Sequence, residues 1–141
     1  MRVWKRNIDL EEINSHRKNT LVDTLGIEVI DFGDDYLCAK MPVDHRTHQP
    51  MGILHGGASV SLAETVGSIA ATMAVDKNHY CVGLEINANH LKSTKSGYVH
   101  ATATPIHIGR STQVWDIKIV NDSDQPVCVA RLTMAVLKRK I

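Results

Sequence analysis

Apolar residues change their spacing several times along this chain. Two short runs, 26–32 and 36–42, alternate apolar with polar positions around Gly33-Asp34-Asp35, which predicts two strands joined by a turn. Upstream, Asp9 precedes Leu10, Ile13 and Asn14 and predicts a short capped helix reaching about His16. A polar loop, Asp44 to Pro50, follows the second strand. From Gly56 to about Val75 the alternation disappears. That segment lacks proline, is rich in Ala, Val, Leu and Ile, and predicts a helix of about 28 Å. Four strand-like runs follow, 79–91, 97–108, 112–121 and 126–138, separated by Ser96-Gly97, Gly109-Arg110 and Asn121-Asp122-Ser123-Asp124. A long helix that is apolar on most sides must be covered. The order therefore predicts a single α+β domain over 1–141, with a curved antiparallel sheet wrapped around one central helix.

Within that helix the one charge between Gly57 and Val75 is Glu64. Ser61, Glu64, Thr65, Ser68 and Thr72 fall within an arc of roughly 100°. Leu62, Ala63, Val66 and Ala70, with Val60, Ile69 and Met73, make up the apolar remainder. A carboxylate in such surroundings is costly unless it is paired or functional. Two readings stand side by side: a glutamate held by a structural partner, or a general base.

His55-Gly56-Gly57 opens the helix, where backbone N–H groups have no intrahelical acceptor. With the helix dipole behind them, such groups suit a developing oxyanion. Gln49, earlier in the same loop, offers an amide for a carbonyl or a water. Glu64 follows Gly56 by eight positions, about 12 Å along one helix, too far for one substrate atom to touch both. A site shared between two copies of the chain resolves the distance and predicts an oligomer. In the run 80–90, alternation sets Val82, Leu84, Ile86 and Ala88 on one face, continued by His90 on the core side. Glu85 falls on the opposite face with Asn87 and Asn89 and reads as structural or interfacial.

Composition narrows the field. The 141 residues are 43% hydrophobic with a formal charge of +1, which suits a globular domain and gives no field for nucleic acid. The Lys138-Arg139-Lys140 cluster reads as a solvated tail. Acidic residues fall where a signal peptide needs its apolar stretch, and no run is long enough to span a membrane, so a cytoplasmic location is expected. Cys38, Cys81 and Cys128 are far apart, form no CxxC, and read as reduced thiols. His45, His48 and His55 lack a closing ligand for zinc, and no metal is expected. Ser59 and Ser61 lack a nucleophile elbow, and no Walker or dinucleotide fingerprint occurs.

The stretch Met41-Pro42-Val43-Asp44, Arg46 to Ser59 and Leu62 to Ser68 resembles the hotdog-fold thioesterase superfamily, in the branch whose carboxylate sits on the central helix. Val82 to His90 resembles it too, and the similarity runs from Trp4-Lys5-Arg6 to Arg131-Leu132-Thr133. Within the branch it is similar to the 1,4-dihydroxy-2-naphthoyl-CoA hydrolases of menaquinone synthesis and, almost as much, to proofreading thioesterases of enterobactin synthesis. The Glu85-Ile86-Asn87-Ala88-Asn89-His90 run favours the former. The resemblance implies hydrolysis of an aromatic acyl-CoA without a cofactor, CoA being part of the substrate. An acyl carrier protein is the alternative thioester donor, and a non-catalytic acyl-CoA-binding protein is the alternative of another class. It also implies a homotetramer built as a dimer of dimers. Glu64 would be nucleophile or general base, Gly56 N–H would polarise the carbonyl, Gln49 would position water or acyl group, and His55 would support the carbonyl site. Ser68 and His90 would contact the acyl part. CoA would lie along Gly83, His90, Leu91, Lys92 and Ser93, and along His107, Ile108, Gly109, Arg110, Ser111 and Thr112. The chain departs from the usual pattern at Met51, where an aromatic is common, and across Leu91 to Lys95, where a basic run is.

Overall fold

The computed structural model describes residues 1–140. Helices α1 (Leu10–Ser15) and α2 (Leu21–Thr24) precede strands β1 (Glu28–Phe32) and β2 (Leu37–Pro42). The long helix α3 (Gly56–Met73) follows, then β3 (His79–His90), β4 (Tyr98–Ile108), β5 (Thr112–Asn121) and β6 (Pro126–Lys138). The six strands form one sheet in the order β1-β2-β4-β5-β6-β3, antiparallel at every pairing. Helix α3 packs against β2, β3, β4, β5 and β6, so the sheet wraps it as the apolar periodicity requires.

Leu62, Ala63, Val66, Ala70 and Ala71 of α3 are buried against Leu37, Met41, Trp115, Ile117 and Leu132 of the sheet. Burying one such large aliphatic side chain contributes roughly 1.5–3 kcal/mol. The N-terminal segment closes the open end of this core. Trp4 stacks on Trp115 with ring centroids 6.1 Å apart, and its indole N–H donates to Gly33 O at 2.6 Å. Arg6 donates to Val75 O, Asp76 O and His79 O, setting a cation at the C-terminal end of α3.

Two local features depart from the periodicity. Helix α2 is a single turn, too short to leave a periodic signal, and Gly26 ends it with φ 72°. Strand β3 carries a bulge between Gly83 and Glu85 that shifts its register against β6. Val82 and Leu84 therefore do not share a face with Ile86 and Ala88. They are exposed at 42% and 60%, whereas Cys81, Ile86 and Ala88 pack on the core. All three cysteines are free thiols, and burial raises the pKa of each. Among the described residues no helix is long and apolar enough to cross a membrane.

Candidate active site

The half-buried stripe of α3 is the predicted one: Ser61, Glu64, Thr65, Ser68 and Thr72. Three of its hydroxyls turn back on the helix. Ser61 donates to Gly57 O, Thr65 to Ser61 O and Thr72 to Ser68 O, at 2.9, 2.6 and 3.0 Å. Ser68 Oγ faces Met134 Sδ at 3.9 Å. Among the described residues no ion pair reaches Glu64. Its carboxylate overhangs Gly83, where an added Cβ would lie 2.9 Å from Oε2. The strand thus approaches Glu64 as closely as it does because it carries glycine at the bulge. Glu64 and Ser68 open into a cleft of about 470 Å³ between α3, the floor residues Ile27 and Val29, and the arm formed by α1 and α2.

The helix N-terminus opens into a different cleft, of about 320 Å³. Gly56, Ile53, Ser59 and Val127 line it together with His90, Leu91, Lys92 and Ser93. His55 is the N-cap. Its Nδ1 accepts from Gly57 N–H at 2.7 Å, which places the ring proton on Nε2 in the neutral imidazole. The first helical N–H groups therefore differ. Gly57 is satisfied by the cap, while Gly56 N–H has no backbone or side-chain acceptor among the described residues. The His90 ring stands over Gly56, and a Cβ added there would lie 2.8 Å from Nε2.

The loop ahead of the helix is firmly built. Thr47 is buried and donates to Pro42 O at 2.8 Å, and His48 pairs with Lys95 O at 2.8 Å. Arg46 donates to Asp44 at 2.7 Å and lowers that carboxyl to a pKa of about 2. Gln49 receives the Met51 N–H on its side-chain oxygen, which leaves its NH₂ uncommitted, and it lines neither cleft.

One chain thus gathers Glu64, Ser68 and Gly83 in one place, and Gly56, His90, Leu91, Lys92 and Ser93 in another. His107 to Thr112 form a third group at the β4–β5 turn, where Gly109 N–H bonds Thr112 O and Ser111 O accepts from Val136. They do not join the His90–Ser93 run in one chain as a single CoA path. His90 pairs with Cys128 and Thr112 with Ala135, so along β6 the two groups stand roughly 23 Å apart. The cause is topological: successive antiparallel connections fall at opposite ends of a sheet. Periodicity predicted α1 of the arm but missed α2, and it did not reveal that Ile13, Asn14, Arg17 and Val22 line the Glu64 cleft. The pairing of Asn14 with β1 is a contact between distant residues that spacing cannot reveal.

A wrapped central helix bearing an unpaired carboxylate, with a free N–H at its start, is the arrangement of a hotdog-fold thioester hydrolase. The chain belongs to the thioesterase superfamily, whose family model matches residues 51–128. It is 47% identical over 135 residues to the 1,4-dihydroxy-2-naphthoyl-CoA hydrolase of Escherichia coli, covering 96% of this chain and 99% of that protein. It is 46% identical over 135 residues to the proofreading thioesterase of Cronobacter turicensis, covering 96% and 98% of the two chains. The crystal structure of a mutant thioesterase from Pseudomonas aeruginosa superposes with a TM-score of 0.96 at 54% identity, over 97% of this chain and 99% of that one.

Proposed function

We propose that this enzyme hydrolyses an aromatic acyl-CoA, 1,4-dihydroxy-2-naphthoyl-CoA foremost, to the free acid and CoA at a site shared by two copies of the chain. One observation carries the reading: the unpaired Glu64 and the uncommitted Gly56 N–H open into separate clefts of one chain, about 12 Å apart along α3. The thioester oxygen accepts from Gly56 N–H of one copy. Glu64 of the other copy attacks the carbonyl carbon to form an acyl-enzyme anhydride that water then opens, or it takes a proton from the water that attacks. Either way the C–S bond breaks and CoA leaves as thiolate, later protonated. The His55 cap holds the helix start in place, and the free NH₂ of Gln49 positions the water or the acyl group. Lys92 and Arg110 meet CoA phosphates. The chemistry uses a carboxylate, a backbone N–H and water, with no metal or cofactor.

The sheet supplies the means of sharing. Strand β3 is an unpaired edge of 12 residues that exposes Tyr80, Val82 and Leu84. Antiparallel pairing of two β3 strands about a two-fold axis at Asn87, with the bulge at Leu84 taking up one residue, sets Gly83 of one copy opposite His90 of the other. That brings the Glu64 cleft of one to the Gly56 cleft of the other. The β4–β5 turn, at the far end of the sheet, then reaches CoA on a further copy, in keeping with a cytoplasmic tetramer made as a dimer of dimers. The kinship with a proofreading thioesterase supports a second reading, release of misloaded aryl groups from a carrier protein. Thiol release measured on aryl-CoA, alkyl-CoA and aryl-carrier thioesters decides. The first reading expects the highest kcat/KM on 1,4-dihydroxy-2-naphthoyl-CoA, and a preference for the carrier-bound group overturns it. An acyl-CoA that binds without turnover in Glu64→Gln and wild type alike would overturn both.

A further inference from the structure

The polar stripe of α3 does not stop at Glu64. It continues through Ser68 and Thr72, flanked by Ile69 and Met73, for about 12 Å toward the helix C-terminus. A thioester carbonyl held at Glu64 with its CoA side toward Gly56 has this channel in front of its acyl group. The floor is apolar, with Ile27 and Val29 buried, and Ile13 and Val22 of the arm close the outer wall. A cleft of about 470 Å³ lies within the range of small-ligand sites and is roomy for one aromatic ring.

The arm brings one charge. Arg17 is half-buried in the cleft wall; its Nε donates to Asn14 O at 3.2 Å and its NH1 to Ile27 O at 2.9 Å. A guanidinium has five N–H donors, so others stay uncommitted. Among the described residues no carboxylate lies within ion-pair distance of it. A partly desolvated guanidinium with free N–H donors favours a ligand group that accepts from it, as a hydroxyl or a carboxylate does. The arm also lies outside residues 51–128, which the superfamily model matches, and neither of its helices buries a residue.

We infer that the cleft between α3 and the α1–α2 arm is the acyl subsite, and that Arg17 selects acyl groups bearing a hydroxyl or carboxylate remote from the thioester. This rests on the thioesterase site proposed above. Such a group is an extended aryl unit: its apolar body covers Ile69 and Met73, and its polar end accepts from the guanidinium.

The test compares matched pairs, naphthoyl-CoA with hydroxynaphthoyl-CoA and benzoyl-CoA with hydroxybenzoyl-CoA, on wild type, Arg17→Met and Arg17→Lys. The expected result is a roughly tenfold fall in the hydroxylated-to-plain ratio of kcat/KM in Arg17→Met, carried by KM, with Arg17→Lys keeping most of the preference. An equal loss on both members of a pair, or an unchanged ratio, overturns the assignment, since a wall that is only structural treats both alike. Val22→Phe checks the cleft independently of Arg17. It should lower kcat/KM for naphthoyl-CoA several-fold more than for acetyl-CoA, and an equal effect on both overturns the subsite. If wild type releases no thiol from any aryl-CoA, the aryl-CoA reading above fails; if wild type works and the ratios do not move, this inference alone fails.

Discussion

Splitting the two catalytic halves between two variants tests whether copies of the chain share a site. Glu64→Gln removes the carboxylate's basicity and leaves the Gly56 cleft intact. Gly56→Pro removes the N–H and leaves Glu64 intact. Proline suits that position for two reasons visible in the structure. Gly56 is the first residue of α3, where proline is favoured, and His55 already has φ −71° and ψ 130°, the extended backbone that precedes proline. The added carbons would meet the His90 ring, the far end of a side chain that can turn aside. Each variant alone should lose at least about 10²-fold in kcat, through a lost base in one and a lost oxyanion donor in the other. Unfolding and remixing them in equal amounts makes about half of all dimers hybrid. In each hybrid one of the two sites pairs a wild-type Glu64 with a wild-type Gly56. Half of the dimers with half of their sites intact gives roughly 25% of wild-type activity in a thiol-release assay, provided that the pair is symmetric. A mixture no more active than the average of its parents refutes the shared site, because a site within one chain is broken in every hybrid.

Gly83→Ala should lower kcat about tenfold with little change in Tm, since its methyl group would sit 2.9 Å from Glu64 Oε2 and push the carboxylate aside; kinetics and thermal melts on one preparation check it. Asn14→Ala removes two hydrogen bonds to the Val29 backbone, at 2.8 and 2.9 Å, and should cost about 1–3 kcal/mol in chemical denaturation. Asp44 titrates near 2 because Arg46 bonds it, so its contribution to stability is present above the ordinary carboxylate pKa and is lost as the pH falls through about 2. Arg46→Ala should therefore remove that part of the acid dependence; a difference in denaturation midpoint between the two proteins that stays constant from pH 6 to pH 2 would contradict it.

Much of the fold could be read before any coordinates because α3 has no competing periodicity. A long apolar segment with one carboxylate has few ways to be buried, and the strands after it are separated by strong turn residues. Glu64, Ser68 and the order Gly56-before-Glu64 were legible for the same reason. Which glycine keeps its N–H free was not: that depends on the His55 ring bonding Gly57, a matter of rotamer. The inward face of β3 was misassigned because the bulge at Gly83 inserts one residue, and period-two reading cannot detect an insertion. Helix α1 was legible from its Asp9 cap, but the docking of the arm was not, because Asn14 reaches a strand 15 residues away through side-chain atoms, a contact with no spacing rule.

That same Asn14 side chain has a consequence for assembly. By bonding both Val29 N–H and Val29 O, it occupies the backbone groups through which β1 would accept another strand, and Arg17 takes Ile27 O beside them. The sheet ends in two borders, one stopped by its own polypeptide and one left open at β3. Its valence for strand addition is one. Two molecules joined border to border use that valence up, and a growing ribbon of sheets has no next position to add to.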